Sequence, residues 1–314
     1  MEAANSEVDP ISVSLDTVIV AVTDETPRVL SVGETPAELP RLPSGSLLAA
    51  DRTLDLAMRR FVIEQAGLSV GYAEQLYAFG DLGRTDMLGR GGRLISIAYL
   101  ALVRESPPSS GAAWIDCYRL FPWEDHRAGR PTVVDEVIAP ALERWVGGVP
   151  RPQERARRAE RAQVTFGLGG AAWDGVRVLE RYDLLYELGL LEESPRHTSR
   201  RKAGKLGESM GLDHRRMVAT ALGRLRGKLT YRPVVFELLP PVFTLLQLQH
   251  LVEALAGVRL HKQNFRRLVE GGGLVEGTGE AAPSGGRPAE LFRFRREVLR
   301  ERPRPGVGTP WARS

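Results

Sequence analysis

The sequence predicts a two-domain α/β protein, with an α/β sandwich in the first part of the chain and a winged helix-turn-helix in the last part. The chain has 314 residues, which gives room for two separate cores. A predicted hairpin, an amphipathic helix and a buried strand follow one another before residue 104, an order typical of an α/β sandwich. Near the C-terminal end, two short helical patterns are separated by a four-residue turn that begins with Gly257, as in a helix-turn-helix.

The elements of the first domain follow from local patterns. Two runs rich in β-branched residues, 18–22 and 28–32, are separated by turn-forming residues and predict a hairpin. Thr53 is suited to cap a helix, and Gly67 stands where a left-handed C-terminal cap is expected. Residues 94–103 are almost wholly apolar and predict a buried strand.

The middle of the chain predicts three helices separated by polar segments. Apolar residues at helical spacing predict the helices, which cover 132–146, 179–191 and 213–228. Pro140 predicts a kink in the first, and Asp213 an N-cap for the third. Segments 147–161 and 192–207 are charged and poor in large apolar residues, so we expect a connector and a mobile loop. We therefore assign 147–207 as an insertion within a first domain of residues 1–230.

The second domain is predicted to cover residues 231–314. Prolines in 231–241 predict an extended bridge, followed by an amphipathic helix over 244–256 that ends at Gly257. A shorter helix follows over 261–269. Short strands at 274–276 and 289–294 then predict a wing.

Charge and composition restrict the compartment and the partner. The net charge is only +4, but residues 1–150 carry −8 and residues 151–314 carry +12, so the second half suits a polyanion. Cys117 is the single cysteine, which excludes an intramolecular disulfide and a zinc site built from thiolates alone. No stretch has the apolar length of a membrane span, and Glu2 and Glu7 are unlike a basic signal-peptide start, so we expect a cytoplasmic protein.

One motif, "LPSGSLLAADRTLDLAMRRFVIEQAGL" over residues 42–68, resembles the Nudix box, in which a glycine-rich turn leads into a helix that carries metal-binding glutamates. The alignment rests on Arg60 and Gly67, and it places the earlier glutamate of the box on Arg52. The three metal-binding positions then fall on Phe61, Glu64 and Gln65. Magnesium requires oxygen ligands that a phenyl ring does not supply. We therefore expect no catalytic residue, no metal site and no cofactor.

Two further segments resemble the Nudix-related transcriptional regulators of the NrtR family, in particular the longer members called NadQ. The first is "QLYAFGDLGRTDMLGRGGRLISIAYLALV", residues 75–103. The second comprises residues 243–279 and 285–294, which are similar to that family's winged helix-turn-helix. The resemblance implies ADP-ribose or an adenine nucleotide as effector, repression of NAD-metabolism genes, a double-stranded DNA operator that is palindromic, and a homodimer or larger homo-oligomer.

Candidate effector-binding residues lie in the first of these segments. Guanidinium groups hold phosphates as bidentate donors. The family's ligand pocket lies near this run, which carries Arg84, Arg90 and Arg93. Tyr77 and Phe79 are candidates to stack on an adenine ring, although aromatic residues at alternate strand positions more often serve the core. A solvated loop is the alternative for the arginines.

Candidate DNA-binding residues lie on the second helix of the helix-turn-helix. We expect Phe265, Leu268 and Val269 to anchor this helix to the core. The side chains left for the major groove are those of His261, Lys262, Gln263, Asn264, Arg266 and Arg267. Arg287 is expected near the tip of the wing.

The sequence thus predicts a DNA-binding regulator that senses a nucleotide through an inactive Nudix domain. One alternative is a weakly active Nudix hydrolase of nucleoside diphosphate derivatives, against which the missing carboxylates argue. Another is a nucleotide-binding protein whose basic half engages RNA or a protein. His214 beside Asp213 could suggest acid/base chemistry, but helix capping explains the pair more simply.

Overall fold

The structure is a computed structural model that describes residues 11–33, 38–81, 93–109, 111–197, 206–282 and 288–308. The candidate residues Arg84, Arg90 and Arg287 lie outside the described residues. The strands are β1 (Ile11–Thr23), β2 (Thr26–Val32), β3 (Ser44–Ser46), β4 (Tyr72–Phe79), β5 (Arg93–Leu102), β6 (Ala112–Asp116), β7 (Val275–Ala282) and β8 (Ala289–Phe294). The α-helices are α1 (Leu54–Ala66), α2 (Cys117–Leu120), α3 (Ala139–Gly147), α4 (Pro152–Phe166), α5 (Val178–Glu187), α6 (His214–Lys228), α7 (Leu245–Ala256), α8 (Lys262–Gly271) and α9 (Val298–Glu301).

The first domain is built on a mixed sheet with the strand order β4-β5-β1-β2-β6, and β3 pairs with β1. Strands β1 and β5 run parallel from the pair Ile11 and Arg93 to the pair Val20 and Leu102. The predicted hairpin is confirmed as β1 and β2. Its turn contains Asp24 at φ 49° and Glu25 at φ 55°, and two successive positive φ values match the twist of a tight hairpin.

The sheet lies between two helical layers. Along β1, Leu15 and Ile19 belong to the core beneath α1, whereas Val18 and Val20 belong to the core on the opposite face. This alternation follows from the two-residue period of a strand. Helices α6 and α7 contact β1 on the second face. The predicted α/β sandwich is therefore confirmed.

Helix α1 has the predicted ends. The Thr53 hydroxyl accepts a hydrogen bond from the backbone N–H of Leu56 at 3.1 Å, which satisfies one of the free donors at the helix start. Gly67 adopts φ 65°, and its N–H donates to the carbonyl of Ile63 at 3.0 Å. The buried side of the helix consists of Ala57, Met58, Phe61, Val62 and Ala66.

Two predictions for the connecting segments were wrong. Most of the expected connector 147–161 is helical, because it forms the first part of α4 (Pro152–Phe166). Arginine, alanine, glutamine and glutamate form helices readily without an apolar stripe, and the Arg158 guanidinium lies 5.0 Å from the centroid of the Trp145 ring. The expected extended bridge contains a 3-10 helix, Val234–Leu238, because burial of its apolar side chains favours a compact turn.

The predicted helix over 132–146 is a π-helical turn, Val134–Ile138, that continues directly into α3. Pro140 lies directly after this π-helical turn, and it has no N–H to donate to the preceding turn. In the expected loop 192–207, Glu193 packs inward and accepts a hydrogen bond from Arg215 at 3.0 Å. Residues 198–205 lie outside the described part of the chain.

A fully buried carboxylate, Glu124, joins the helices of the first domain. Arg181 donates to it through Nε and Nη2 at 2.5 and 2.9 Å, and Arg226 donates through Nη1 at 2.5 Å. All three side chains are 0% exposed. Burial opposes ionisation of Glu124, but the two guanidinium groups outweigh it and hold its pKa below the ordinary value. We refer to these three residues as the Glu124 cluster.

The same cluster holds the C-terminal end of α7, the first helix of the helix-turn-helix. Arg226 Nε donates to the carbonyl of Leu255 at 2.9 Å, and the Tyr118 hydroxyl donates to the carbonyl of Ala254 at 2.6 Å. These are carbonyls that a helix end leaves without an intrahelical partner. Gly257 follows with φ 71°, and a Cβ there would overlap the Glu124 carbonyl oxygen. The two domains are thus joined by polar contacts around a helix end.

Replacing Glu124 with glutamine is expected to lower the free energy of unfolding by about 3–5 kcal/mol, because two buried guanidinium groups lose their counter-charge. The matched control is Glu208→Gln, which removes an exposed carboxylate paired with Arg119 and should cost less than about 1 kcal/mol. Urea unfolding of both variants at neutral pH measures the difference. Equal stabilities would show that the cluster is dispensable.

His126 makes the stability dependent on pH. Burial lowers its pKa to about 4, in spite of attraction from Glu124, and its ring lies 4.3 Å from that of Trp173. An unfolded histidine titrates near pH 6.5. The neutral ring therefore contributes stability above that pH, and the contribution is lost progressively as pH falls to about 4. In urea unfolding at several pH values, His126→Gln should lose less stability than the wild type as the pH falls. The control His261→Gln, which replaces an exposed histidine, should follow the wild type.

Candidate effector site and nucleic-acid interface

The sequence alignment places metal ligands at three positions of α1. The residues at two of them, Phe61 and Gln65, contact strand β3. Gln65 Oε1 accepts from the backbone N–H of Ser44 at 3.0 Å, and Gln65 Nε2 donates to the Ser44 carbonyl at 2.6 Å. The ring of Phe61 packs directly on Gly45, where a Cβ would overlap it. Both side chains therefore fill space and satisfy backbone groups between α1 and β3.

The third position, Glu64, points to the surface and pairs with Arg60 at 3.4 Å. Arg60 also pairs with Asp51 at 3.0 Å. The backbone N–H of Leu48 and the guanidinium of Arg60 lower the pKa of Asp51. Arg52, which the sequence aligns with the earlier glutamate of the box, is exposed. The carboxylate that contacts α1 here is that of the preceding residue, Asp51. Among the residues with described positions, no three acidic, histidine or cysteine side chains are grouped as metal ligands.

The two aromatic candidates contact each other but differ in burial. Their ring centroids lie 5.5 Å apart in an edge-to-face arrangement. The pairing of β4 with β5 shifts by one residue between Gln75 and Ala78, next to these rings. Tyr77 is 64% exposed, whereas Phe79 is 4% exposed and lies in the core. The ring available for stacking here is therefore that of Tyr77.

Arg93 is the first residue of β5 and is exposed. Its Nε and Nη2 donate to the carbonyl of Gly80 at 3.3 and 2.9 Å, which fixes the guanidinium at the end of β4 and leaves further donors for an anion. Arg84 and Arg90 belong to the connection between these strands, outside the described residues. Cavities of about 340, 640 and 810 Å³ in the described part of the chain are lined by other residues.

The helix-turn-helix forms as predicted, with a capping box at the start of α7. The Thr244 hydroxyl accepts from the N–H of Gln247 at 3.2 Å, while the Gln247 side chain accepts from the N–H of Thr244 at 2.8 Å. On α8, Phe265 and Val269 are buried one turn apart. The anchoring role expected of Leu268 was wrong: it is 55% exposed, since it lies to one side of the face that those two residues share.

The six polar candidates around α8 are all exposed, namely His261, Lys262, Gln263, Asn264, Arg266 and Arg267. Within the described ranges, their side chains make no hydrogen bond or ion pair with the rest of the chain. Strands β7 and β8 form the wing, and an isolated β-bridge joins Phe243 to Phe292 of β8. The strand predicted at 274–276 extends to Ala282. Arg287 falls between the two described parts of the wing.

The turn before α8 contacts the hairpin of the first domain, a feature that sequence reasoning missed. Glu25 Oε1 lies 2.9 Å from His250 Nδ1, and Glu25 Oε2 lies 3.0 Å from Arg259 Nη1. Arg259 Nη1 also donates to the buried Glu253 at 2.7 Å. Burial would raise the pKa of Glu253, but hydrogen bonds from Arg259 and Gln249 lower it. The only sequence signal was a charged residue in a tight hairpin turn.

Comparison with solved structures supports the two-domain architecture. The crystal structure of Shewanella oneidensis NrtR complexed with a 27mer DNA matches with a TM-score of 0.56 at 20% identity, covering 92% of this chain and 95% of that one. A MutT/nudix family protein from Enterococcus faecalis matches with a TM-score of 0.53 at 14% identity, covering 94% and 90%. The chain is therefore a Nudix-fold domain joined to a winged helix domain.

Comparison at the level of sequence identifies the second domain more closely. Residues 235–294 match the family model described as the NrtR DNA-binding winged helix domain. A relative from Acinetobacter baylyi, described as an ADPR responsive transcriptional repressor NtrR, is 39% identical over 85 residues, which are 27% of this chain and 34% of that protein. The match thus spans about a third of that relative. The resemblance to NrtR regulators is confirmed.

The position of Gln65 leads to a testable substitution. Gln65→Glu has nearly the same shape but replaces the amide donor with a carboxylate that faces the Ser44 carbonyl, so we expect a loss of about 1–3 kcal/mol in the free energy of unfolding. Glu64→Gln is the control and should be close to neutral, because Glu64 is on the surface. Thermal unfolding with and without Mg²⁺ tests both variants. A rise in melting temperature with Mg²⁺ in Gln65→Glu would contradict a purely structural role.

Proposed function

We propose that the protein is a DNA-binding transcriptional regulator that represses NAD-metabolism genes in the cytoplasm. The proposal rests on the exposed polar side chains of α8. Within the described residues, these side chains have no partners. The family model matched by this domain is named for DNA binding, and the Acinetobacter relative is described as a transcriptional repressor. In the described residues, no helix is long and apolar enough to cross a bilayer.

The side chains on α8 fit DNA recognition chemically. Arginine binds the guanine edge through two hydrogen bonds, and asparagine binds adenine in the same way, so Arg266, Arg267 and Asn264 suit the major groove. Lys262 suits phosphate contact. A winged helix reads one half-site, and we infer that a homodimer binds a palindromic operator. The domain boundary near residue 230 is part of this proposal, since the matched winged helix begins at residue 235.

We infer that the Nudix domain binds a nucleotide without hydrolysing it. Phe61 and Gln65 are committed to contacts with β3, and Glu64 alone cannot supply the oxygen ligands that a bound Mg²⁺ requires. Hydrolysis of nucleoside diphosphate derivatives therefore remains only the alternative. ADP-ribose is the favoured effector, since the Acinetobacter relative is described as ADPR responsive. An adenine nucleotide would offer the same adenine ring and phosphates.

In the proposed effector site, Arg93 holds a phosphate and Tyr77 stacks on the adenine ring, with Arg84 and Arg90 as further phosphate ligands. Strand β1 connects this region to the helix-turn-helix. It pairs with β5 beside Arg93 at one end, and at the other end its hairpin contacts His250 and Arg259. A ligand that bound one arrangement of this sheet more tightly would therefore shift the position of α8.

DNA binding is expected to depend on α8 and on the wing. Asn264→Ala and Arg266→Ala should each weaken binding to the preferred operator by about 1–3 kcal/mol, because a base contact is lost. Arg287→Ala should weaken all sequences alike if it contacts phosphate. Binding to an operator selected from random duplexes and to scrambled DNA, at two salt concentrations, separates these effects. Arg157→Ala, an exposed arginine on α4, is the control. Wild-type binding by all three variants would place the DNA surface elsewhere.

Effector binding is expected without turnover. Calorimetry should detect ADP-ribose binding with and without Mg²⁺, and Arg93→Ala should bind about tenfold more weakly because one charge-assisted contact is lost. Arg157→Ala, an exposed arginine on α4 outside the site, is the control. Product analysis of the same mixtures should show no hydrolysis. Turnover in the ordinary enzyme range of about 1–1000 per second would establish the hydrolase instead.

A further inference from the structure

A groove with a volume of about 810 Å³ lies where the end of α6, the helix α8 and the C-terminal segment meet. Its walls come from the residues after α6, from the second half of α8 and from the segment 302–308. The polar side chains of these walls include three guanidinium groups, those of Arg232, Arg302 and Arg304. No acidic residue lines the groove within the described part of the chain. Its volume falls in the range of small-molecule sites.

The C-terminal wall of the groove is anchored. The N–H of Val307 donates to the carbonyl of Leu229 at 2.9 Å, and the Val307 side chain is buried. Gly306 lies so close to the backbone of Thr230 that a Cβ there would overlap it. Gly308, at φ 75°, lies against Leu268 of α8. The segment that carries Arg302 and Arg304 is therefore held against both domains, which gives the groove a defined shape.

No acidic side chain among the described residues is paired with the three arginines of the groove. Arg302 donates to the carbonyl of Gly271 at 3.2 Å, which satisfies the C-terminal end of α8. The side chains of Arg232 and Arg304 have no hydrogen bond or ion pair within the described residues. Glu301, the acidic residue next to Arg302 in the sequence, is paired with Arg295 at 2.8 Å. The contact with the end of α8 therefore explains the position of Arg302, but not those of Arg232 and Arg304.

We propose that this groove binds a phosphate group through Arg232, Arg302 and Arg304. Guanidinium groups hold phosphate oxygens through paired hydrogen bonds, and three of them around one concave surface match a phosphate with several charged oxygens. The phosphate has two possible sources. One is a free phosphorylated compound, and the other is the DNA backbone beside α8. The groove is separate from the proposed effector site at Arg93, so its occupation does not depend on that site.

The first experiment measures pyrophosphate binding to the full chain by calorimetry, with saturating ADP-ribose present so that any sensor site is filled. The double variant Arg232→Gln/Arg304→Gln should bind pyrophosphate at least about tenfold more weakly, because charge-assisted hydrogen bonds are lost. The matched control is Arg157→Gln/Arg300→Gln, which removes the same charge from exposed helix positions outside the groove. Its affinity should equal that of the wild type.

A second variant tests the shape of the groove. Gly306→Val removes no arginine, but it displaces from Thr230 the segment that carries Arg302 and Arg304, so pyrophosphate affinity should fall as in the double variant. Arg232→Lys/Arg304→Lys keeps the charge and should retain most of the binding. Wild-type affinity in both the glutamine double variant and Gly306→Val would overturn the proposal. Equal losses in the glutamine double variant and its control would also overturn it, because they would indicate general surface charge.

Binding to a scrambled DNA duplex at two salt concentrations distinguishes the two sources. If the DNA backbone supplies the phosphate, the glutamine double variant should reduce the logarithmic salt slope by about one, and pyrophosphate should compete with DNA. If a free compound supplies it, the salt slope should be unchanged while pyrophosphate binding is lost. Both outcomes support a phosphate site. Unchanged behaviour in both assays would contradict it.

Discussion

The buried Glu124 cluster is the interaction on which the arrangement of the two domains depends. A carboxylate with no exposed surface is stable only when its charge is compensated, and here Arg181 and Arg226 compensate it from two different helices. Arg226 also reaches the carbonyl of Leu255 at the end of α7. The Arg226 guanidinium that compensates Glu124 in the first domain therefore also holds the helix-turn-helix.

A direct consequence is that the helix-turn-helix is attached to the first domain at two points. The end of α7 is fixed by the Glu124 cluster, and the turn before α8 is fixed by Glu25 of the β1–β2 hairpin. The hairpin is part of the same sheet whose other end carries Arg93, so the proposed effector signal would pass along this sheet to the helix-turn-helix.

Helix α1 shows which properties of a helix are local and which are not. Its cap, its buried face and its left-handed end follow from local residues, so Thr53, Gly67 and the apolar spacing between them predicted it. The contacts of the Phe61 and Gln65 side chains could not be predicted from local residues. Their contacts are with Ser44 and Gly45 of a strand that pairs elsewhere in the sheet.

The sequence by itself determined the β1–β2 hairpin, helix α1, the buried strand β5 and the winged helix, because caps, turns and periodicity are local properties and the motifs that carry the resemblance are contiguous. Only the tertiary structure decided which side chains meet. The exposure of Tyr77 beside the buried Phe79, the exposure of Leu268 and the helical state of the basic segment α4 depend on neighbours far along the chain. The Glu124 cluster depends on them most, since burial and charge compensation are set by residues 57 and 102 positions away.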